Sequence, residues 1–389
     1  MLVSIAEEMN PTRRNTMEDV HVVKEPGSWD SPNDKATFIG VYDGHGGRNI
    51  VDYLEDHLHS NVANEWCYAA EESRLKQAEM SDDRKLKRRR LANDQTNLDS
   101  TGGKENVATV EKNQSDYDIE EEARYIRLSL ERAFLLTDIQ SRMAGLSTSG
   151  ATVVCCIVIP KFSADGSLRS IEVHAANAGD ARAVLSSKNA EKIAHCDSGA
   201  YSESGSVPAS EKSNSKEFKN KNDSVAALRI THDHKSTDAD EIERIEKAGG
   251  VMIRGRVLGV LAVARSLGDH GLKEFVIGRP YLSSTVIQIE KERDKSASRV
   301  MNECSIERRR GLNSSECSPL TDGDFLIVAC DGLWDVMEDH EAVNLVRKFT
   351  AENPSRSKKC SKQEVASFLI EEALRRGSTD NITVVVCWL

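Results

Sequence analysis

Three apolar runs in this chain each have an aspartate fixed at one end. Phe38-Ile39-Gly40-Val41-Tyr42 leads into Asp43, Phe325-Leu326-Ile327-Val328-Ala329-Cys330 leads into Asp331, and Asp380 precedes Ile382-Thr383-Val384-Val385-Val386. Short runs of β-branched, aromatic and other apolar residues read as buried strands. A carboxylate at the end of a buried strand is costly unless something cationic compensates it, and none of the three has a basic partner beside it in sequence. Together they predict a divalent ion, and an all-oxygen donor set favours magnesium or manganese.

A chain of 389 residues can bury a large core and leaves room for two or three domains, but the spacing of its motifs from end to end argues for one. The net charge of −11 gives no general attraction to nucleic acid or to an anionic membrane. No apolar window reaches the roughly 20 residues that a membrane span needs, so a soluble chain is expected. The first ten residues lack the basic start, apolar run and cleavage site of a signal peptide, and are not the Arg-rich sequence of a transit peptide. There are nine cysteines, an odd number; Cys155, Cys156, Cys330 and Cys387 lie inside apolar runs, and no Cys-x-x-Cys pair occurs. Buried free thiols in a reducing compartment, the cytosol or nucleus, are the expectation.

Segments 71–117, 196–224 and 291–320 are rich in Ser, Lys, Glu, Asp and Asn and read as disordered or surface inserts in that single domain. Between them, strands are predicted from Ala151 to Ile159, Ile171 to Ala176, Arg182 to Leu185 and Ser284 to Ile289. Helices are predicted from Arg48 to Ala63, Glu120 to Met143, Thr237 to Ala248, Glu341 to Phe349 and Lys362 to Leu374. Gly249-Gly250 would cap the third, and Asp339 or His340 would start the fourth. Strands and helices do not alternate regularly, which predicts an α+β fold of antiparallel sheets with helices on their outer faces.

Seven blocks occur in order along the chain: Arg14-Asn15-Thr16-Met17-Glu18-Asp19, Val41-Tyr42-Asp43-Gly44-His45-Gly46-Gly47, Ser149-Gly150-Ala151-Thr152, Ala176-Asn177-Ala178-Gly179-Asp180-Ala181-Arg182, Ala264-Arg265-Ser266-Leu267-Gly268-Asp269, Ala329-Cys330-Asp331-Gly332-Leu333-Trp334-Asp335 and Gly377-Ser378-Thr379-Asp380-Asn381. Through them the chain resembles the metal-dependent serine/threonine phosphatases of type 2C. Residues 257–278 look most like fungal members that act on stress-activated MAP kinases. No Trp precedes Arg256-Val257-Leu258, unlike the plant members that hormone receptors regulate.

The resemblance implies a four-layer α-β-β-α sandwich and hydrolysis of phosphoserine or phosphothreonine on proteins by a hydroxide shared between two Mg²⁺ or Mn²⁺ ions. It implies that Asp43 bridges the ions, that Glu18 and the Gly44 carbonyl bind one, and that Asp331 and Asp380 bind the other. Asp19 would hold metal-bound water or Arg14 in place. Gly44, Gly46 and Gly47 suit both a tight turn and a carbonyl's close approach to a metal. His45 would be the general acid and Arg14 the phosphate clamp. For Asp180 and Asp335 two readings stand, a weaker third metal or a structural hydrogen-bond acceptor. Asp269 is a family hallmark that stays outside the ligand set. Phosphoproteins, a MAP kinase among them, are the implied partners of a monomer.

Other motifs carry less. His195-Cys196 lacks the arginine six residues on that a cysteine phosphatase needs, Ser202 standing there. His57/His59 and His232/His234 have no cysteine partners at zinc spacing. The basic run Arg84 to Arg90 reads as a solvated loop, with nuclear import or partner docking as the alternative. A pseudophosphatase would have lost at least one of Glu18, Asp43, Asp331 or Asp380, and all four are present. A metal-dependent nuclease would want a basic cleft, which the acidic balance disfavours.

Overall fold

The computed structural model describes residues 1–94, 108–187, 193–197, 226–289, 323–352 and 358–389. In chain order the elements are β1 (Leu2–Glu8), β2 (Asp19–Lys24), β3 (Thr37–His45), α1 (Asn49–Asp94), α2 (Ala108–Met143), β4 (Gly150–Phe162), β5 (Leu168–Ala178), β6 (Arg182–Ser187), β7 (Ile193–Asp197), β8 (Ala226–Arg229), α3 (Ala239–Lys247), β9 (Met252–Ile253), β10 (Arg256–Val257), β11 (Leu267–Gly268), β12 (Tyr281–Gln288), β13 (Phe325–Ala329), α4 (Asp331–Trp334), α5 (Asp339–Glu352), α6 (Lys358–Arg375) and β14 (Ile382–Trp388).

Two large sheets form. One has five strands in the order β1-β14-β13-β6-β8; the other has seven, in the order β2-β3-β4-β5-β12-β7 with β11 beside β4. Every pairing between these strands is antiparallel. The strands read as continuous apolar runs because both faces of each sheet are covered. Along β4, Val153, Cys155 and Ile157 pack with Ile50, Leu54 and Leu58 of α1 and Leu130 and Phe134 of α2. The alternate residues Val154, Cys156 and Val158 meet Leu326, Val328, Val385 and Cys387 of the other sheet. On that sheet's far face, Phe325, Ile327, Val384 and Val386 pack with Val343 and Val346 of α5 and Val365 and Leu369 of α6. The period-2 alternation of a strand thus sorts each run between two cores, and three cores separate four layers. This is the α+β sandwich expected from the sequence.

The first two helices exceed their predicted limits. Helix α1 continues through Asp94 rather than ending near Ala63, and α2 starts at Ala108 rather than Glu120. The first insert is therefore helical over 71–94 and 108–117, and only 95–107 of it lies outside the described residues. Its composition resembles a loop, but no Gly or Pro occurs between Asn49 and Asp94, and Lys, Arg, Glu, Gln, Ala and Leu are good helix formers. The run Arg84 to Arg90 sits on α1, where its side chains are not described. The rest of the second insert beyond β7, up to residue 225, and the third insert at 291–320 lie outside the described residues. Helix α3 starts at Ala239 rather than Thr237, with the Asp238 side chain capping it by accepting from the Asp240 N–H, and Gly249 follows at φ 86°. Helix α5 starts at Asp339, as expected.

Candidate metal and phosphate centre

The strand ends gather the acidic motifs. Strand β2 begins at Asp19, which pairs in register with Asp43 of β3, and Asp43 in turn pairs with Thr152 of β4. In the other sheet β13 ends one residue before Cys330, and Asp331 opens the single turn of α4. A carboxylate oxygen each of Asp19 and Asp43 and the Cys330 sulfur lie within 4.8 Å of one another. Residues from both sheets thus converge across the gap between them.

Neither Asp43 nor Asp331 has a basic partner among the described residues. Burial pushes the Asp43 carboxyl well above the ordinary range, and the neighbouring carboxylates of Asp331, Asp19, Asp180 and Asp380 push the same way. Burial raises Asp331 likewise, reinforced by Asp180, Asp380, Asp335 and Asp19. Asp19 is raised to about 6 by burial, against hydrogen bonding to Cys330 and Thr383. Asp19 Oδ2 and Asp331 Oδ1 are buried atoms without a hydrogen-bond partner in the protein. Buried carboxylate oxygens that repel one another and lack donors are what a hard divalent cation satisfies, so the residues fit such an ion.

Asp380 differs. Its Oδ2 receives an Arg14 guanidinium nitrogen and its Oδ1 the Asn381 N–H at 2.7 Å, while Arg14 Nε donates to the Thr379 carbonyl at 3.3 Å. The chain therefore does supply a cation to one of the three strand-end aspartates, from a segment far away in sequence. Arg14 remains about half exposed at the rim, with donors left over.

Glu18 is held from several sides. Its backbone N–H donates to Asn381 Oδ1 at 2.8 Å, and its side chain accepts from Thr16 Oγ1 at 3.1 Å and from the Gly47 N–H at 3.4 Å. Asn381 Nδ2 also donates to the carbonyls of Met9 and Thr16 at 2.8 and 3.0 Å. This one amide pins the Met17-Glu18-Asp19 segment to the Asp380 segment. Asn381 stood in a quoted motif without a role, and only the fold shows that its partners come from the chain's beginning. At Gly44 a Cβ would come within 2.5 Å of the Glu18 carbonyl oxygen, so this turn closes only around glycine.

Asp180 and Asp335 share a cation that lies far from both in sequence. Lys235 Nζ lies 2.9 Å from Asp335 Oδ1 and 3.9 Å from Asp180 Oδ2. Burial raises Asp180 to about 6 despite Lys235, and its Oδ1 is buried without a partner. His45, at the end of β3, meets Asp269 at 2.8 Å through Nε2. Burial opposes ionisation of Asp269, but the hydrogen bond and charge of His45 and the Ser266 hydroxyl outweigh it and hold the carboxyl below its ordinary range. Nothing in a Leu-Gly-Asp sequence points across to His45, so this contact is visible only in the fold.

The remaining motifs have local partners. His195 bonds Thr285 at 2.8 Å, His57 stacks on Tyr53, and His232 pairs with Asp238 at 2.6 Å. Cys155, Cys156, Cys330 and Cys387 are buried free thiols. No helix among the described residues is long and apolar enough to cross a membrane.

The sequence matches the family model described as protein phosphatase 2C over residues 4–117, 212–296 and 313–382. It is 28% identical over 398 residues to "Protein phosphatase 2C homolog 1" of Saccharomyces cerevisiae, covering 100% of this chain and 93% of the relative. To the protein of the same name in Schizosaccharomyces pombe it is 27% identical over 386 residues, covering 99% of this chain and 72% of the relative. Among solved structures it is similar to a phosphatase from Toxoplasma gondii, with a TM-score of 0.55 at 16% identity over 99% of this chain and 94% of that one. It is also similar to a sex determining protein of C. elegans, with a TM-score of 0.55 at 19% identity over 99% of this chain and 64% of that one. At those identities the structural likeness is one of fold.

Proposed function

Because the chain belongs to the protein phosphatase 2C family, and is thereby a metal-dependent protein serine/threonine phosphatase, we propose how its own residues divide the work. Asp43, Glu18, the Gly44 carbonyl, Asp331 and Asp380 hold two divalent cations, Mg²⁺ or Mn²⁺, with Asp19 behind them. The observation that carries this is the partnerless buried oxygens of Asp19 and Asp331 beside Asp43, whose carboxyl burial and the neighbouring carboxylates push up. When bound, the ions neutralise the phosphoryl dianion and make a water nucleophilic near neutral pH. Asn381 fixes the Glu18 backbone against the Asp380 segment, so donors from the two sheets keep one geometry. Arg14, at the rim, takes phosphoryl oxygens with its remaining N–H donors. His45 gives a proton to the departing serine or threonine oxygen as the P–O bond breaks.

Lys235 supports the structural reading of Asp335, whose Oδ1 it holds; the partnerless Oδ1 of Asp180 supports a further, weaker cation there. We read the chain as one catalytic domain, since each sheet contributes to two of the three large cores. The resemblance of residues 257–278 to fungal enzymes supports a phosphorylated MAP kinase as substrate, and a monomer in the cytosol or nucleus acting as negative regulator of a stress pathway.

The test is phosphate release from a phosphoserine protein with added Mn²⁺ or Mg²⁺ and with excess chelator. Release only with metal is expected, and Arg14→Ala should mainly raise KM. Undiminished release in chelator from metal-free protein would overturn the proposal. Phosphoproteomics after depletion of the protein would show whether MAP kinase sites accumulate phosphate.

A further inference from the structure

Asp269 reaches His45 across a gap in the seven-stranded sheet that two glycines keep open. His45 on β3 pairs in register with Gly150 of β4, and Gly150 pairs with Gly268 of β11. A Cβ at Gly150 would lie 2.1 Å from Asp269 Oδ2, so the carboxylate passes through the space that a side chain would fill. At Gly268, φ is 78° and a Cβ would meet the Ser149 carbonyl oxygen at 2.5 Å. Asp269 itself sits at φ 46°, where few residues other than Gly, Asn and Asp are at ease.

The loop is tied on both sides. The Asp269 N–H donates to the Ser149 carbonyl at 3.0 Å, and Ser266 Oγ donates to Asp269 Oδ2 at 2.5 Å. Asp138 of α2 accepts the Gly268 N–H at 2.8 Å and pairs with Lys273 at 3.0 Å, while Lys273 donates to the Ser266 carbonyl at 3.0 Å. A sterically demanding backbone and five ties hold one carboxylate oxygen at one nitrogen of one imidazole.

We propose that Asp269 is the positioning residue of the general acid. Its carboxylate accepts the His45 Nε2–H, which fixes the ring and leaves Nδ1 as the nitrogen whose proton passes to the leaving oxygen. As the P–O bond breaks, its electron pair stays on the serine or threonine oxygen and takes the Nδ1 proton. The neutral imidazole left behind keeps its remaining proton on Nε2, against Asp269. The inference rests on reading His45 as that acid.

The test uses the full chain with saturating Mn²⁺ and compares a phosphoserine peptide with p-nitrophenyl phosphate, whose leaving group hardly needs a proton. Asn keeps the shape and tolerates the backbone, so Asp269→Asn should lower kcat on the peptide by about 10–100-fold with little change in KM. On the aryl phosphate the loss should stay under about threefold. The double variant His45→Gln/Asp269→Asn should be no slower on the peptide than His45→Gln alone. If His45→Gln loses equally on both substrates, the general-acid reading falls and this inference with it. If His45→Gln discriminates but Asp269→Asn does not, or the two losses multiply, only the positioning role is overturned. Should Asp269→Asn fail to fold, Ser266→Ala loosens the same carboxylate oxygen; the same substrate split at smaller amplitude supports the role, and unchanged rates on both substrates contradict it.

Discussion

Arg182 pairs in register with Ala329, two residues before Asp331, so a group of sunken carboxylates held by Arg182 lies near the Asp43 and Asp331 group, which draws on both sheets, and the two meet the same cost in opposite ways. In the first, Arg182 donates to Asp233 at 3.1 Å and to Asp339 at 2.5 Å, and Arg229 holds Asp339 through two nitrogens at 2.8 and 3.0 Å. Burial would raise Asp339, but Arg229 and Arg182 together bring it below its ordinary range. In the second, Asp43 and Asp331 are raised by burial and by neighbouring carboxylates, and among the described residues no arginine or lysine answers them. A cluster neutralised by its own chain is finished as structure, whereas one left negative takes its cation from solution. Carboxylate content alone does not separate the two; the pairing does.

The sharpest break between them is catalytic. Asp43→Asn removes a charge at the centre of the uncompensated group and should cost on the order of 10³-fold in kcat/KM on a phosphoprotein. Asp339→Asn should leave turnover per folded molecule unchanged. Equal losses in the two variants would erase the distinction.

Stability should reverse the ranking. Arg182 is 6% exposed, and Arg182→Met would leave Asp233 and Asp339 undercompensated, so a loss of about 3 kcal/mol in denaturant unfolding is expected with metal present. In chelator, Asp43→Asn should instead raise Tm by about 2–4 °C over the unsubstituted chain, because it relieves repulsion. A lower Tm for that variant in chelator would mean that Asp43 is held by contacts other than those seen.

The smallest effect is in pH. Asp19 and Asp180 have folded values raised to about 6, so the protein resists deprotonating them while the unfolded chain does not. The stability of the metal-free chain should therefore fall as pH rises from about 4 through about 6. Asp339 works in the other direction: its folded value is depressed, so its contribution is present above the ordinary carboxylate range and is lost as pH falls through the folded value. Melting curves in chelator should show that decline between about pH 4 and about 6, and saturating Mn²⁺ should flatten it.

How far the sequence could be read follows from the range of the interactions. Strand-end aspartates are visible because the apolar runs before Asp43 and Asp331 and after Asp380 are local, and those runs also predict sheets covered on both faces. The ties that complete the site span the chain: Arg14 to Asp380 across 366 residues, Glu18 to Asn381 across 363 and His45 to Asp269 across 224. No local pattern encodes those meetings, and Lys235 beside Asp335 and Asp180 is hidden for the same reason. The length of α1 was misjudged differently. Polar composition between residues 71 and 94 resembles a loop, yet an unbroken stretch of helix formers needs no apolar face to remain helical beyond the core.

The central claim is that the cluster around the unpaired Asp43 and Asp331, and not the Asp233 and Asp339 cluster that Arg182 and Arg229 neutralise, recruits the metal. Calorimetric titration of Mn²⁺ into metal-free protein near neutral pH tests it most directly, on the unsubstituted chain, Asp43→Asn and Asp339→Asn in parallel. The account predicts two ions bound by the unsubstituted chain and by Asp339→Asn, with binding weakened or lost in Asp43→Asn. Unaltered Mn²⁺ binding in Asp43→Asn, or its loss in Asp339→Asn, would contradict it.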